Sequence, residues 1–279
     1  MATISVATFN VLAQSAVHWL HADDVQHLAF EHRAPLLARD LSDLMGSCAV
    51  VALQEVCSKT STLVLEHLKD FDVLLAGQPS PKGLANWLIV GSTNTGVPPN
   101  IVRFKTVRGI ETIGGQLREE PDASPEEKEA VALANKPREM PWAVVDLQGK
   151  RTLVACFHLP LELQNPRAME LRAQNLVTNL LRLASQHQAV VLLLGDLNCL
   201  PDSQLFQSIL TMADLEPLSA PAISCWNGAF QGCLDYVLAT KGAFRGSGGP
   251  IREMTRSCPN QDNGSDHVPV VVNLDSCLT

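Results

Sequence analysis

The chain has 279 residues, is 46% hydrophobic and carries a formal net charge of -8. That length supplies one large core, and we read residues 1–279 as a single domain. The acidic balance argues against a protein that grips nucleic acid mainly by neutralising phosphates. It leaves room for a short substrate end held at a small, charge-rich site.

The first residues, MATISVATFN, lack a basic leader and start a strand from Ile4 to Phe9 that ends at Asn10. No signal peptide is expected. No window reaches the roughly 20 apolar residues of a membrane helix. Asp23 to Met45 has helical character, with Leu36, Leu37, Leu41 and Leu44 on one stripe and Gly46 as the stop. Ala49 to Leu53 is a continuous apolar run, as in an interior strand. A helix over Ser58 to Leu68 and a strand over Asp72 to Ala76 follow.

Prolines interrupt the next stretch at Gln78-Pro79-Ser80-Pro81 and Val97-Pro98-Pro99, with strands expected at Ala85 to Val90 and Ile101 to Val107. Acidic residues 119–129 read as a solvated loop with one short helix from Pro125 to Ala134; a loop that covers substrate is the alternative. Strands at Trp142 to Leu147 and Thr152 to Phe157 are joined by a turn at Gln148-Gly149-Lys150. Asn165-Pro166 is a helix start. Met169, Ala173, Leu176, Leu180 and Leu183 then recur at steps of four and three, one apolar face of a long helix. Ala189 to Leu194 is a buried strand ending at Gly195-Asp196, followed by a helix from Ser203 to Ala213 with Asp202 as cap. The last strands are Leu234 to Ala239 and Val268 to Leu274. Strands alternate with helices in both halves, so the class is α/β.

Eight cysteines, at positions 48, 57, 156, 199, 225, 233, 258 and 277, form no CxxC pair and no zinc-like spacing. Several lie in apolar runs, which fits reduced thiols and an intracellular protein, cytoplasmic or nuclear.

Polar residues cluster where the apolar runs end. Glu55 follows Val50 to Gln54, and a carboxylate there is costly unless paired or bound to a metal. Asp196 and Asn198 flank Leu197, a spacing that puts both on one face of an extended segment, or in a turn. Asp235 opens one strand, His158 closes another, and Asp266-His267 precedes a third. His18, His21, His27, His32, His67 and His187 lie in helix-like stretches away from such motifs.

Taken together, TFN (Thr8 to Asn10), LQEV (Leu53 to Val56), CFHLP (Cys156 to Pro160), GDLN (Gly195 to Asn198), LDYV (Leu234 to Val237) and SDH (Ser265 to His267) resemble the endonuclease/exonuclease/phosphatase superfamily, the DNase I-like phosphoesterases. Asn10 to Gln14, Phe30 to Arg33 and GDLNCLPDSQLF (Gly195 to Phe206) are similar to the nocturnin/Angel deadenylase-like branch. The resemblance implies a four-layer α/β sandwich, two mixed sheets packed face to face with helices outside. It implies Mg²⁺, with Mn²⁺ as a substitute, bound by Glu55 with Asn10 and Asp266 close by. Asp196 would orient or deprotonate the attacking water, and Asn198 would bond the phosphate or that water. His267, set by Asp235, and His158 would contact phosphoryl oxygens. The single tyrosine, Tyr236, departs from relatives that use one from mid-chain.

The expected activity is hydrolysis of a phosphate ester at an RNA 3′ end, by exonucleolytic or phosphatase action. A phosphatase of a small nucleotide, inositol phosphate or phospholipid is the alternative; a silent binding module is a third reading.

Overall fold

A computed structural model of the chain describes residues 3–20, 25–68, 73–76, 85–91, 102–114, 117, 122–161, 165–219 and 222–276. The elements in chain order are β1 (Ile4–Asn10), α1 (Phe30–Ser47), β2 (Val50–Val56), α2 (Ser58–His67), β3 (Val73–Ala76), β4 (Ala85–Val90), β5 (Val102–Ile113), α3 (Pro125–Ala134), β6 (Arg138–Leu147) and β7 (Lys150–His158). There follow α4 (Pro166–His187), β8 (Val190–Asp196), α5 (Gln204–Ala213), β9 (Leu215–Pro217), β10 (Cys225–Trp226), β11 (Gln231–Gly232), β12 (Asp235–Thr240), β13 (Phe244–Pro250) and β14 (Val270–Ser276). Short 3-10 turns occupy Val17–Trp19 and Val25–Leu28.

Two six-stranded mixed sheets carry the fold, in the orders β13-β14-β1-β2-β4-β3 and β5-β6-β7-β8-β12-β9, beside a two-stranded β10-β11 ribbon. The β1–β2 and β7–β8 pairs are parallel. Side chains alternate across each strand, and here both faces are covered. In β2, Val50 and Ala52 join the core between the sheets, while Val51 and Leu53 pack outward with Leu37, Leu41 and Leu44 of α1. In β8, Leu192 and Leu194 face the partner sheet, and Val191 and Leu193 meet Met169, Ala173, Leu176, Leu180 and Leu183 of α4. The result is helix, sheet, sheet, helix. The uninterrupted apolar runs follow directly from that double burial.

Local chemistry sets the helix ends. Ser124 accepts from the Glu127 amide ahead of α3, and Asn165 accepts from the Ala168 amide ahead of α4. Four sequence expectations are corrected. Ser203, not Asp202, caps α5, because its side chain accepts the Phe206 amide. Helix α1 begins at Phe30 rather than Asp23, entered from an extended Ala29; Pro35 lies inside it and has no N–H to offer the Glu31 carbonyl. Leu36 is only half-buried, and Arg33 replaces it on the buried face. Strand β5 runs to Ile113, beyond the expected Val107, with a register shift against β6 between Phe104 and Arg108. The proline segments at 78–81 and 97–99, and acidic residues 119 and 120, lie outside the described residues. The seven described cysteines are free and buried. Among the described residues no helix is long and apolar enough to cross a membrane.

Gly195 shows how tightly β7 and β8 approach. A Cβ there would lie 1.8 Å from the Phe157 carbonyl oxygen. Gly46, in α1, has nothing within 4 Å of the same position. Gly195→Ala should therefore cost about 1–3 kcal/mol by overpacking. Gly46→Ala should gain about 0.5–1 kcal/mol from helix propensity. Urea unfolding midpoints of the two variants check both signs.

Candidate active site

Strand register delivers the polar residues to one end of both sheets. His158 stands opposite Asp196 across β7–β8, and Asp235 stands opposite Asp196 across β12–β8, so three adjacent strands present one row. In the other sheet Asn10 pairs with Gln54, and Glu55 follows at a left-handed residue (φ 59°) where the β2–β4 register shifts. That irregularity turns the Glu55 side chain toward Asn10.

Asn10 joins the two rows. Its Nδ2 donates to Glu55 Oε1 and to Asp196 Oδ2, each at 3.0 Å. Its Oδ1 accepts the Leu12 amide, which fixes the orientation of the carboxamide. Leu12 adopts φ 53° to make this contact, and the next amide, Ala13, donates to Glu55 Oε2. Asn10 thus faces the carboxylates with donors, while its oxygen already serves a backbone amide.

Asp235 Oδ2 lies 2.7 Å from His267 Nδ1. The proton on Nδ1 leaves Nε2 facing Asp196 Oδ2 at 3.7 Å and Asp266 Oδ1 at 4.0 Å. Burial works against a charged His267, but Asp235 and the other nearby anions outweigh it and hold the imidazole protonated well above its ordinary value. Ser224 Oγ accepts the Leu234 and Asp235 amides and seats this carboxylate. Ser265 Oγ donates to the Asn10 carbonyl and accepts the His267 amide, tying the β14 approach to β1.

Asn198 is brought in by a turn. Its φ is 48° and its amide donates to Asp196 Oδ1, so of the two arrangements open to Asp196 and Asn198 the chain adopts the turn and not the extended one. Its Nδ2 lies 2.9 Å from both the Leu159 carbonyl and His158 Nε2. The carbonyl demands a donor, so Asn198 donates and His158 Nε2 accepts in this arrangement. His158 Nε2 also lies 3.8 Å from Asp196 and 4.0 Å from Glu55. The structure brings all eight sequence-derived site residues into one connected cluster. The described histidines outside it, His18, His27, His32, His67 and His187, sit on helices or 3-10 turns.

The donor set suits a hard divalent cation. Asp196, Asp235 and Asp266 are buried and Glu55 is half-buried at this end of the sheets. Burial pushes the Asp266 carboxyl up to about 6; His267 opposes the shift and Glu55 adds to it. Carboxylates that repel each other at this depth are relieved by a dication, which takes oxygen ligands. Donor atoms of Asp196, Asp235 and His267, and of Cys225, Asp266 and His267, also lie within 4.8 Å of one another. A protonated His267 bound to Asp235 has no lone pair for a metal, and burial pushes the Cys225 thiol up to about 12. Carboxylate oxygens, those of Glu55 and Asp266 among them, are therefore the groups that could hold a cation here.

Sequence reasoning missed Arg33, Ser224 and Ser265 as parts of this cluster. Arg33 had a readable signal, a cation at helical spacing on the stripe of Leu37, Leu41 and Leu44. Ser265 stands in the SDH motif without a role having been read for it, and Ser224 carried no signal, since its partners are 10 and 11 residues away.

The fold is shared with known proteins of diverse substrates. It is similar to ANGEL2, a 2′,3′-cyclic phosphatase solved with adenosine-2′,3′-vanadate, at a TM-score of 0.75 and 13% identity over 98% of this chain and 95% of that one. It is similar to the human nocturnin catalytic domain at 0.69 and 17% identity, covering 99% and 95%. A mannosyl-6-phosphatase from Bacteroides thetaiotaomicron matches at 0.67 and 15% identity, covering 98% and 99%. No curated protein matches in a sequence search. A family model described as the Endonuclease/Exonuclease/phosphatase family matches residues 7–267. The chain therefore belongs to the endonuclease/exonuclease/phosphatase family, and is a phosphoesterase hydrolase.

Proposed function

We propose that this phosphoesterase is Mg²⁺-dependent and hydrolyses a phosphate ester at an RNA 3′ end. The observation that carries the reading is the position of Asp196 Oδ2, held by Asn10 at 3.0 Å and faced by His267 Nε2 at 3.7 Å. A carboxylate so oriented accepts a proton from water as the water oxygen attacks phosphorus. His267 Nε2–H donates to a non-bridging phosphoryl oxygen, with its charge sustained by Asp235. Asn198 and His158 border the same space and orient the phosphate. Asn10 keeps Glu55 and Asp196 in place. Glu55 and Asp266 hold the cation, whose contribution is to neutralise charge on the phosphoryl oxygens. The P–O bond to the leaving group breaks, and the leaving oxygen is protonated from solvent.

The RNA-end assignment is supported by the Angel-like stretch Gly195 to Phe206 and by the fold shared with ANGEL2 and nocturnin. The net charge of -8 favours a second reading, a small phosphorylated substrate, for which the mannosyl-6-phosphatase likeness is the structural parallel.

Asp196→Asn keeps the side-chain shape but removes the base and turns one of the two oxygens that accept from Asn10 Nδ2 and the Asn198 amide into a donor, and should slow hydrolysis about 10²–10⁴-fold. The assay uses RNA ending in a 2′,3′-cyclic phosphate, RNA with a 3′ oligoadenylate tail, and small phosphomonoesters, each with Mg²⁺. Turnover of either RNA supports the leading reading. Turnover of phosphomonoesters alone supports the second, and no turnover of any substrate contradicts both.

Cation binding should also appear without substrate. A ligand at 100 times its Kd stabilises the folded state by about 2.7 kcal/mol. Saturating Mg²⁺ or Mn²⁺ should raise the Tm of wild type by several degrees and that of Glu55→Gln by much less. An equal rise in both proteins would place the cation elsewhere.

A further inference from the structure

Arg33 is a fully buried cation that the reaction itself does not use. Its side chain leaves α1 at the level where the segment after β1 and the turn before Asp266 meet. Nε donates to the Gly264 carbonyl at 2.6 Å, Nη1 to Gln14 Oε1 at 3.1 Å, and Nη2 to the Val11 carbonyl at 2.9 Å and to the Leu12 carbonyl. Among the described residues none of its partners is a carboxylate within ion-pair distance. Its compensating charges, Asp266 and Glu55, act at longer range. Burial lowers the guanidinium only to about 10, so it stays charged at neutral pH.

Each backbone acceptor stands one or two residues from a site group. Leu12, whose carbonyl Arg33 holds, uses its own amide to fix Asn10, and Ala13 fixes Glu55. Gly264 lies two residues before Asp266. A Cβ on Gly264 would come within 2.7 Å of the Arg33 carbonyl oxygen, so this turn sits directly on the α1 backbone. Farther along α1, Arg252 bonds Asp40 and the Asp262 carbonyl, and Arg39 also bonds the Asp262 carbonyl. The helix is thus a rail for the segment that carries Asp266 and His267.

We propose that Arg33 is a positioning residue that clamps the Glu55 side of the site to the Asp266 side through backbone carbonyls. The inference rests on the cation-dependent reading of that site for its consequence, but not for its geometry. A planar fork reaching two chain segments, residues 11–14 and Gly264, is the property required, and charge alone does not supply it. Lysine keeps the charge and lacks the fork.

The test compares the full-length wild type, Arg33→Lys, Gln14→Ala and Leu44→Ala without metal, by amide hydrogen exchange, and then with Mn²⁺ by calorimetry. Leu44 lies in the outer core of the same helix and controls for lost stability. Arg33→Lys should speed exchange at the Leu12, Ala13 and His267 amides at least tenfold relative to α4, and weaken Mn²⁺ binding about tenfold. Gln14→Ala, which removes one acceptor and the Gln14 Nε2 bond to the Leu28 carbonyl but spares the fork, should shift both in the same direction by about threefold and decides the matter if Arg33→Lys does not fold. Leu44→Ala should change neither relative to α4. Wild-type exchange in both clamp variants, or the same changes in Leu44→Ala, overturns the proposal. If wild type itself binds no Mn²⁺, the cation reading fails, and the exchange data alone uphold or overturn the clamp.

Discussion

The site depends on one carboxamide. Asn10 Nδ2 bonds a carboxylate from each sheet, Glu55 and Asp196, at equal distances of 3.0 Å. Two anions so close in a buried setting repel strongly, and a neutral donor shared between them offsets part of that cost. The sharing works only if Asn10 cannot turn over. Leu12 prevents this by accepting a left-handed backbone conformation so that its amide meets Asn10 Oδ1. Backbone strain here fixes the geometry of a functional cluster.

The core between the sheets must serve that contact. Its facing residues are mostly Val, Ala and Leu, including Ala52, Val154, Leu192 and Val237, and they set the spacing at which the strand ends meet. The same packing leaves four carboxylates near one another, with Arg33 and His267 as the cations set against them. The cluster is therefore not arranged for stability alone. On the proposed reading its surplus of buried negative charge would become an asset with a dication and a phosphate bound, because a preorganised field acts most strongly where water is excluded.

Much of this was legible in the sequence where a single physical requirement dominated. Strands β2 and β8 are buried on both faces, so they read as unbroken apolar runs. Helix α4 is buried on one face, so Met169 to Leu183 shows the stripe; Asn165-Pro166 marks its start by capping chemistry. Strand β13, FRGSGGP, was not legible because it lies at a sheet edge, largely exposed, and its glycines carry no pattern. The turn at Asn198 was left open because Asp and Asn at spacing two suit either a strand or a turn. The residue types at the site could be read one by one, but their convergence depends on register: Asp196 opposite His158 and Asp235 is a property of three paired strands. Arg33 and the serines are long-range contacts of the same kind.

The most direct test of the account is a crystal of the protein soaked in Mn²⁺, with the ion located by its anomalous scattering. The account predicts one ion bonded to oxygens of both Glu55 and Asp266, at roughly 2.2 Å, a little beyond the Mg²⁺–oxygen distance, with Asn10 still bridging Glu55 and Asp196. An ion seated away from Glu55, or an Asn10 side chain that has let go of either carboxylate, would contradict it.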